Sequence, residues 1–317
     1  MGRAYQPARR EPLAGAVRGK ARGMTGLARR EAIDGYLFIA PWLVGFVLWV
    51  AGPMIGSLAL SLVRWNLFSP PKWIGLENFG QLTKNPLVGV SLWNTAYYTF
   101  LSVPLTLMAS LILALLCVQE MHVRAAFRTF FYLPSVTPAV ASAIVWFWIL
   151  NPEVGLANMF LRALGLPGSQ WLWHPKTSKP TFILMNLWSA GGNTMVIFLA
   201  GLQNIPQSLY DAAQIDGANW WQQFRSVTIP MLSPVILFNM VMSIIGSFQV
   251  FTGAFLMTQG GPANSTLFTV LYLYRLAFEQ FNMGFAGALA LLLFVIILFF
   301  TVLQLRLSEA WVYYEGG

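Results

Sequence analysis

Six long stretches without a charged residue constrain what this chain can fold into more than any other feature. Crossing the hydrocarbon core of a bilayer as a helix takes about 20 mainly apolar residues. Only 9% of the 317 residues are charged, whereas soluble domains carry about a quarter. The sequence therefore predicts a helical integral membrane protein. The charge-free stretches are Tyr36–Val63, Asn85–Gln119, Thr129–Pro152, Pro180–Tyr210, Ser226–Tyr274 and Gln280–Leu305.

The fifth stretch is too long for one helix. Gly260-Gly261-Pro262 is a strong turn signal, so a helix near Pro234–Met257 is expected to end in a turn there. The segment that follows, Leu267–Phe278, is too short to span. The sequence thus predicts an all-α integral membrane fold with six transmembrane helices over 36–307. Tails over 1–35 and 308–317 flank that domain.

The basic residues predict the orientation, because cytoplasmic loops retain Lys and Arg. With six crossings both termini lie on one side, where twelve Lys and Arg collect against seven on the other. Eight of the twelve lie in the first 35 residues. We therefore expect both termini in the cytoplasm. Anchoring to anionic headgroups explains the basic tail better than nucleic-acid binding.

Motifs for catalysis, metal binding or ion coupling are missing from the sequence. Gly19-Lys20 lacks the flanking residues of a phosphate-binding loop, and His122 and His174 fall in loops on opposite predicted faces. No predicted span contains Asp or Glu, which a proton- or ion-coupled carrier usually needs. The chain is expected to be no enzyme and to hold no cofactor, so its energy source lies on another subunit.

The predicted cytoplasmic loop over 206–230 reads as two short helices. Ser208 and Asp211 have the spacing of a capping box, and Gly217 supplies a left-handed residue to end the first helix. Asn219 can cap a second helix that Pro230 is expected to terminate. By physics alone, this loop is equally consistent with a simple connection between two membrane helices.

The order of residues in this loop resembles a known motif. Asp211-Ala-Ala-x-x-Asp-Gly-Ala218, followed by Ile229-Pro230, is similar to the EAA loop of ABC importer permeases, with Asp211 in place of Glu and Ile229 in place of Leu. Further fragments resemble the carbohydrate-uptake branch, and in particular its maltose-type first permease subunit. They include Gly75–Phe79, Asn94-Thr95, Leu133-Pro134, Asn151–Asn158, Thr258–Thr266 and Gly284–Ala288.

The resemblance implies a type I ABC importer permease fold in the cytoplasmic (inner) membrane of a prokaryote. It also implies partners: a second permease subunit, two ATPase subunits that use ATP and Mg, and an external solute-binding protein. The loop would dock the ATPase, which makes it a coupling element. The residues that match the family's coupling motif are Asp211, Ala212, Ala213, Asp216, Gly217, Ala218 and Pro230.

In the maltose relative, sugar contacts come from the helices on either side of the loop. Counting the same number of residues from the loop in this chain places the corresponding contacts at Asn193, Ser243, Gly246, Ser247 and Val250. Val250 departs from the polar residue expected there, and Gln249 beside it offers an amide. Hydroxyl and amide groups suit sugar hydroxyls, although for any one serine a bond between helices explains it equally well. Aromatic candidates for stacking on a pyranose are Trp188, Phe248 and Phe251.

The predicted function is import of a mono-, di- or oligosaccharide by alternating access. Glycerol-3-phosphate stays open as a substrate because the partner permease could supply a cation, and polyols stay open because some members of the family branch that the chain resembles import them. An ion-coupled secondary carrier is a distant alternative, since the predicted spans carry no charge.

Overall fold

The computed structural model describes residues 26–118, 124–190 and 192–313. The chain divides into two compact units, Met1–Ile55 and Gly56–Gly317. In the first unit, helix α1 spans Gly26–Phe46 and a π-helical turn follows over Val47–Ala51. The last ten residues of the predicted 1–35 tail are therefore helical. The rest of that tail lies outside the described residues.

The remaining elements are helical apart from one small hairpin. Its strands are β1 (Val63–Arg64) and β2 (Lys72–Trp73), which pair antiparallel. The helices are α2 (Gly52–Ser61), α3 (Glu77–Lys84), α4 (Pro86–Val118), α5 (Arg124–Val136), α6 (Ala139–Ile149), α7 (Leu156–Ala163), α8 (Pro175–Trp188), α9 (Asn193–Gln203), α10 (Gln207–Ile215), α11 (Trp220–Gln223), α12 (Ile229–Phe248), α13 (Thr269–Tyr274) and α14 (Met283–Ser308). Further π-helical turns cover Phe224–Thr228, Ala254–Thr258 and Arg275–Glu279.

Among the described residues, four continuous helices are long and apolar enough to cross a membrane. They cover Arg29–Ser61, Pro86–Val118, Trp220–Phe248 and Met283–Ser308. Two further pairs of helices qualify only when each pair is taken together, because α5 and α6 are bent by 98° and α8 and α9 by 47°. The part of the chain that the structure describes thus has between four and six candidate spans. The prediction of six requires each bent pair to cross once.

The third predicted span, Thr129–Pro152, is not one helix. Helix α5 ends at Val136 and α6 begins at Ala139, with Pro138 in an extended conformation as its N-cap. Proline has no N–H to continue the hydrogen-bond ladder and disfavours helical backbone at the preceding residue. The break therefore follows from Thr137-Pro138, which the sequence interpretation had kept inside a continuous span.

The bounds predicted for the fifth helix, Pro234–Met257, are wrong at both ends. The helix begins much earlier, at Trp220, and its last helical residue is Phe248. A separate π-helical turn over Ala254–Thr258 follows. The turn predicted at Gly260–Pro262 is present, and Gln259 and Gly260 both have positive φ. The segment after it contains only short helices and is not a candidate span.

Buried amides hold the connections at the predicted outer end. Asn78 donates to the carbonyls of Ser61 (2.8 Å) and Val63 (3.0 Å). Asn158 donates to the carbonyl of Ser169 (2.9 Å) and accepts from the Trp171 indole (2.8 Å). Both asparagines belong to fragments that carried the family resemblance. These fragments are therefore structural clamps at the ends of spans.

Helix α4 lies centrally in the second unit and contacts α8, α9, α12 and α13. Polar contacts fix it as well as apolar packing. Asn94 donates to the carbonyls of Asn264 (2.8 Å) and Leu267 (3.2 Å), and Thr95 meets the hydroxyl of Thr269 at 3.0 Å. Since each of these groups is buried, leaving one unpaired would be costly. The two polar residues fix the long loop after α12 against α4.

Candidate functional site

Helix α10 of the predicted coupling loop begins two residues earlier than its sequence suggested, at Gln207 instead of Leu209. Pro206 is its N-cap, without a side-chain cap, so Ser208 already lies inside the helix. The predicted Ser208–Asp211 capping box is therefore wrong. Pro206 cannot donate a backbone N–H and its fixed φ suits a helix start. The Asp211 carboxylate instead accepts from the Gln207 side-chain amide at 3.1 Å.

A Schellman motif closes α10 where glycine was predicted to close it. Gly217 has φ +77° and donates to the carbonyl of Gln214 at 3.0 Å. Ala218 donates to the carbonyl of Ala213 at 2.9 Å. Together these two bonds define the motif, and a left-handed residue is what it needs. The role predicted for Gly217 in ending the helix is confirmed.

Helix α11 starts with a complete capping box. Asn219 accepts from the backbone N–H of Gln222 at 3.0 Å, and the Gln222 side chain accepts from Asn219 N–H at 2.7 Å. The predicted cap is therefore confirmed. Pro230, however, does not end the helix. The wide turn Phe224–Thr228, in which Ile229 N–H reaches back to the carbonyl of Phe224, carries the helix past the proline into α12.

The surface of this loop is apolar and exposed. Ile215 is 87% exposed and Trp220 67%, and the rings of Trp220 and Phe224 stack at 5.6 Å. Ala212 and Gly217 are exposed beside them, and an added Cβ at Gly217 would meet nothing within 4 Å. An exposed apolar surface of this kind marks an interaction site. Its neighbour Tyr210 bonds Thr228 at 3.0 Å, so both halves of the loop are tied together.

A second site is a cavity of about 340 Å³ among α4, α8, α9 and α12. Ser102, the central residue of α4, contributes a hydroxyl to its wall. None of the described residues that line it is charged. The lining residues are Tyr98, Ser102, Val103, Thr106, Asn186, Ser189, Thr194, Ser243, Gly246, Ser247 and Val250.

The polar groups of this cavity are partly paired among themselves. Asn186 donates to the hydroxyls of Ser102 and Thr106, both at 2.8 Å. Ser247 donates to the carbonyl of Ile244 at 3.0 Å, whereas Ser243 has no hydrogen-bond partner among the described residues. Hydroxyls accept as well as donate. The wall therefore offers both kinds of hydrogen-bonding group to an uncharged polar solute.

The structure brings together only some of the predicted substrate residues. Ser243, Gly246, Ser247 and Val250 line the cavity. Gln249 lies outside that lining, next to the end of α12. Asn193 lies at the start of α9 and accepts from Tyr132 at 3.4 Å.

The three aromatic candidates contact other rings instead. Trp188 meets Trp146 edge to face at 6.0 Å. Phe248 is buried and stacks on Phe300 at 5.6 Å, and Phe251 stacks on Phe255 at 5.2 Å. None of the three lies in the described cavity wall. Their proposed contact with a sugar ring therefore stays a prediction.

The sequence interpretation missed the α4 and α8 walls of the cavity. Tyr98, Ser102 and Thr106 recur every four residues, which places them on one face of α4. That spacing of polar residues along α4 was the available signal. Within the described residues, no three His, Cys, Asp or Glu side chains come close enough to hold a metal ion.

Comparison with known proteins shows that the chain is similar to transport permeases over most of its length. Residues 107–311 match the family described as binding-protein-dependent transport system inner membrane component. The chain is 40% identical to the probable ABC transporter permease protein YesP of Bacillus subtilis, over 91% of this chain and 94% of that protein. It is 33% identical to the trehalose/maltose transport system permease protein MalF of Thermococcus litoralis, over 89% and 96%.

A solved structure has the same fold. The crystal structure of a bacterial ABC transporter involved in the import of the acidic polysaccharide alginate contains a chain that aligns with a TM-score of 0.78 at 26% identity. The alignment covers 89% of this chain and 96% of that one. The fold is therefore that of a type I ABC importer permease, a multi-pass protein of the inner membrane. This chain belongs to the family of binding-protein-dependent transport system inner membrane components.

Proposed function

We propose that this chain is the permease subunit that passes a carbohydrate across the membrane in an ATP-driven importer. The uncharged cavity at the middle of α4 carries the proposal. Its hydroxyl and amide groups match the paired donors and acceptors of a sugar. The relatives named for trehalose and maltose, and for alginate, support a carbohydrate as the solute class.

Within that class, the cavity favours a neutral sugar. A phosphate ester such as glycerol-3-phosphate would need a cation or several converging donors, and no described lining residue is charged. Alternating access would expose Ser243 and Ser247 first to one side of the membrane and then to the other. The substrate contacts proposed for this chain are Asn193, Ser243, Gly246, Ser247 and Gln249, with Trp188, Phe248 and Phe251 as stacking candidates.

The loop over 206–230 is proposed to dock a separate ATPase subunit, which would bind ATP and Mg. Its exposed apolar surface, held rigid by the Schellman motif and the capping box, supports that role. Because local hydrogen bonds hold these residues in place, a movement of the ATPase would move the attached helices instead of bending the loop. The proposed coupling residues are Asp211, Ala212, Ala213, Asp216, Gly217, Ala218 and Pro230.

The proposed topology has six crossings with both termini in the cytoplasm. It counts each bent pair as one span and follows the excess of Lys and Arg on the side of the N-terminus. A second permease would complete the pathway, two ATPases would bind beneath, and a solute-binding protein would deliver the sugar.

Copurification tests this function. The tagged chain, expressed with its native partners, is expected to bring down a second permease, an ATPase and a solute-binding protein. The isolated binding protein is then screened by calorimetry against neutral sugars, uronates, polyols and glycerol-3-phosphate. Binding of a neutral sugar alone supports the proposal, whereas exclusive binding of glycerol-3-phosphate would replace the proposed substrate class.

A further inference from the structure

A cavity of about 370 Å³ lies at the start of α14, and it shares no lining residue with the loop over 206–230 or with the cavity around Ser102. Its wall contains two cations, Arg64 and Lys72, and two aromatic rings, Trp65 and Phe281. Arg64 and Lys72 are paired residues of the two antiparallel strands. Side chains of such a pair point to the same face, and like charges placed there repel. The hairpin therefore concentrates positive charge at this cavity.

One carboxylate in the described part of the chain offsets this charge. Glu77 pairs with Arg64 and also accepts from Gln81 at 3.1 Å. Glu279, which directly precedes the lining residue Gln280, pairs instead with Arg275 at 3.7 Å. The side-chain ammonium of Lys72 has no ion pair or hydrogen bond among the described residues. The cavity thus keeps one unmatched cation.

The amides in the wall present donors. The Asn66 carbonyl oxygen is occupied by the N–H and hydroxyl of Ser69, at 3.0 and 2.6 Å. The Asn282 oxygen accepts from Phe285 N–H at 3.4 Å. The NH₂ groups of both asparagines have no partner among the described residues, and neither has the Gln280 side chain. Free donors beside free positive charge favour an anionic ligand.

The cavity lies just beyond the ends of two candidate spans, where headgroups border the hydrocarbon core of a bilayer. Helix α2 ends at Ser61, and Arg64 follows three residues later. An extended chain rises about 3.3 Å per residue, so Arg64 lies within about 10 Å of the end of that span. On the other side, Asn282 immediately precedes α14. Met283 N–H donates to the carbonyl of Trp65 at 3.0 Å, which fixes both sides at one height.

Exposed aromatic residues mark the same level. Phe68 is 79% exposed and Trp73 71%, and aromatic side chains collect where a membrane meets water. Phe68 packs edge to face on Phe281 at 5.3 Å. Phe281 and Leu67 both have left-handed backbone, with φ +53° and +67°. Such strain in non-glycine residues persists where the surroundings enforce it and concentrates at ligand sites.

We propose that this cavity binds the phosphodiester headgroup of an anionic phospholipid such as phosphatidylglycerol. The cations and free amide donors would bind the phosphate, and the aromatic residues would contact the glycerol and upper acyl chain. With both termini in the cytoplasm, the lipid belongs to the outer leaflet.

Native mass spectrometry of the assembled transporter tests the site. The complex is titrated with dioleoylphosphatidylglycerol and, separately, with dioleoylphosphatidylcholine. Lys72→Gln is expected to lower phosphatidylglycerol affinity by about three- to fivefold, as befits one exposed charge, and to lower phosphatidylcholine affinity by less, because the choline cation offsets the charge of the phosphate. Lys176→Gln removes an exposed cation from the other predicted outer loop and is expected to change neither. The comparison with this control separates the proposed site from other bound lipids.

Three outcomes would overturn the proposal. The first is an equal effect of Lys72→Gln on both lipids, or an equal effect of the two lysine variants. The second is displacement of phosphatidylglycerol by soluble glycerol-3-phosphate at similar concentration, which would assign a site for free phosphate esters. The third is weaker docking of the binding protein to Lys72→Gln with unchanged lipid binding, which would assign the surface to that protein.

Discussion

The loop over 206–230, proposed to dock the ATPase, and the cavity around Ser102, proposed to bind the sugar, are built in opposite ways. The loop takes its shape from residues close together in sequence: Gly217 bonds Gln214, and Asn219 bonds Gln222. The cavity takes its shape from helices far apart in sequence, as the bonds from Asn186 to Ser102 and Thr106 show. The loop therefore keeps its shape as one piece, while the cavity changes whenever those helices move apart. A transporter that is driven by a separate ATPase subunit needs both a rigid docking loop and a cavity that changes shape.

The largest expected effect comes from placing a bulky side chain at the loop's left-handed turn. Gly217→Leu strains the backbone by about 1–2 kcal/mol and projects into the proposed docking surface. ATP-dependent uptake is expected to fall by more than about tenfold, as for loss of an interface hot spot. Uptake is measured in proteoliposomes, with membrane insertion checked by blotting.

Gly165→Leu is a matched control for this variant. Gly165 has φ +74°, closes α7 with the same pair of backbone bonds, and has nothing within 4 Å of an added Cβ. It therefore carries the same strain in a predicted outer loop. An equal loss of uptake in both variants would mean that strain, and not docking, explains the result.

The next largest effect is expected from filling the cavity. An added Cβ at Gly246 meets nothing within 4 Å, and Gly246 lines the cavity, so the side chain of Gly246→Leu reduces the space left for a solute. Its maximal uptake rate is expected to drop by about tenfold, since one or two lost hydrogen bonds to the sugar cost about 1 kcal/mol each. An added Cβ at Gly89 in α4 also meets nothing within 4 Å, and Gly89 lies outside the cavity wall, so Gly89→Leu serves as control. Normal uptake by Gly246→Leu would remove this cavity from the pathway.

Removing hydroxyls from the cavity should have a smaller effect. Replacing Ser243 and Ser247 by Ala is expected to slow uptake by about two- to tenfold, with capture by the binding protein unchanged. Asn193→Ala, which alters a predicted contact outside the cavity wall, is measured beside it. A larger effect from Asn193 than from the serine pair would move the substrate site toward the start of α9.

The smallest change is expected at Asp211. Its carboxylate is exposed and accepts only from the Gln207 amide among the described residues. Asp211→Glu should leave coupling unchanged, and Asp211→Asn should lower uptake by less than about fivefold, because exposed charge contacts contribute about 1 kcal/mol or less. Complete loss of uptake in Asp211→Asn would indicate a buried ion pair with the ATPase.

The same contrast explains what the sequence could predict. Gly217 and Asn219 were predicted correctly because each acts on neighbours within a few residues. The capping box at Ser208 failed because Pro206 starts the helix first. The prediction that Pro230 ends the helix was wrong because a π-helical turn, which has no simple sequence signal, continues the helix past the proline.

In the cavity, Ser243, Gly246 and Ser247 share one face of one helix, so their grouping could be predicted. Tyr98 and Asn186 lie on helices that meet α12 only through tertiary packing. No local pattern links them. The bend at Pro138 shows the same limit, since apolar composition predicted a span where backbone chemistry broke it.

The proposed transport cycle depends most on a separate ATPase subunit as its source of energy. The direct test is sugar uptake by proteoliposomes that contain the chain with its partner permease and ATPase, and that are supplied with the binding protein. We expect accumulation only with ATP on the ATPase side and binding protein on the other, with no response to a proton gradient. Accumulation driven by a proton gradient without ATP would contradict the account.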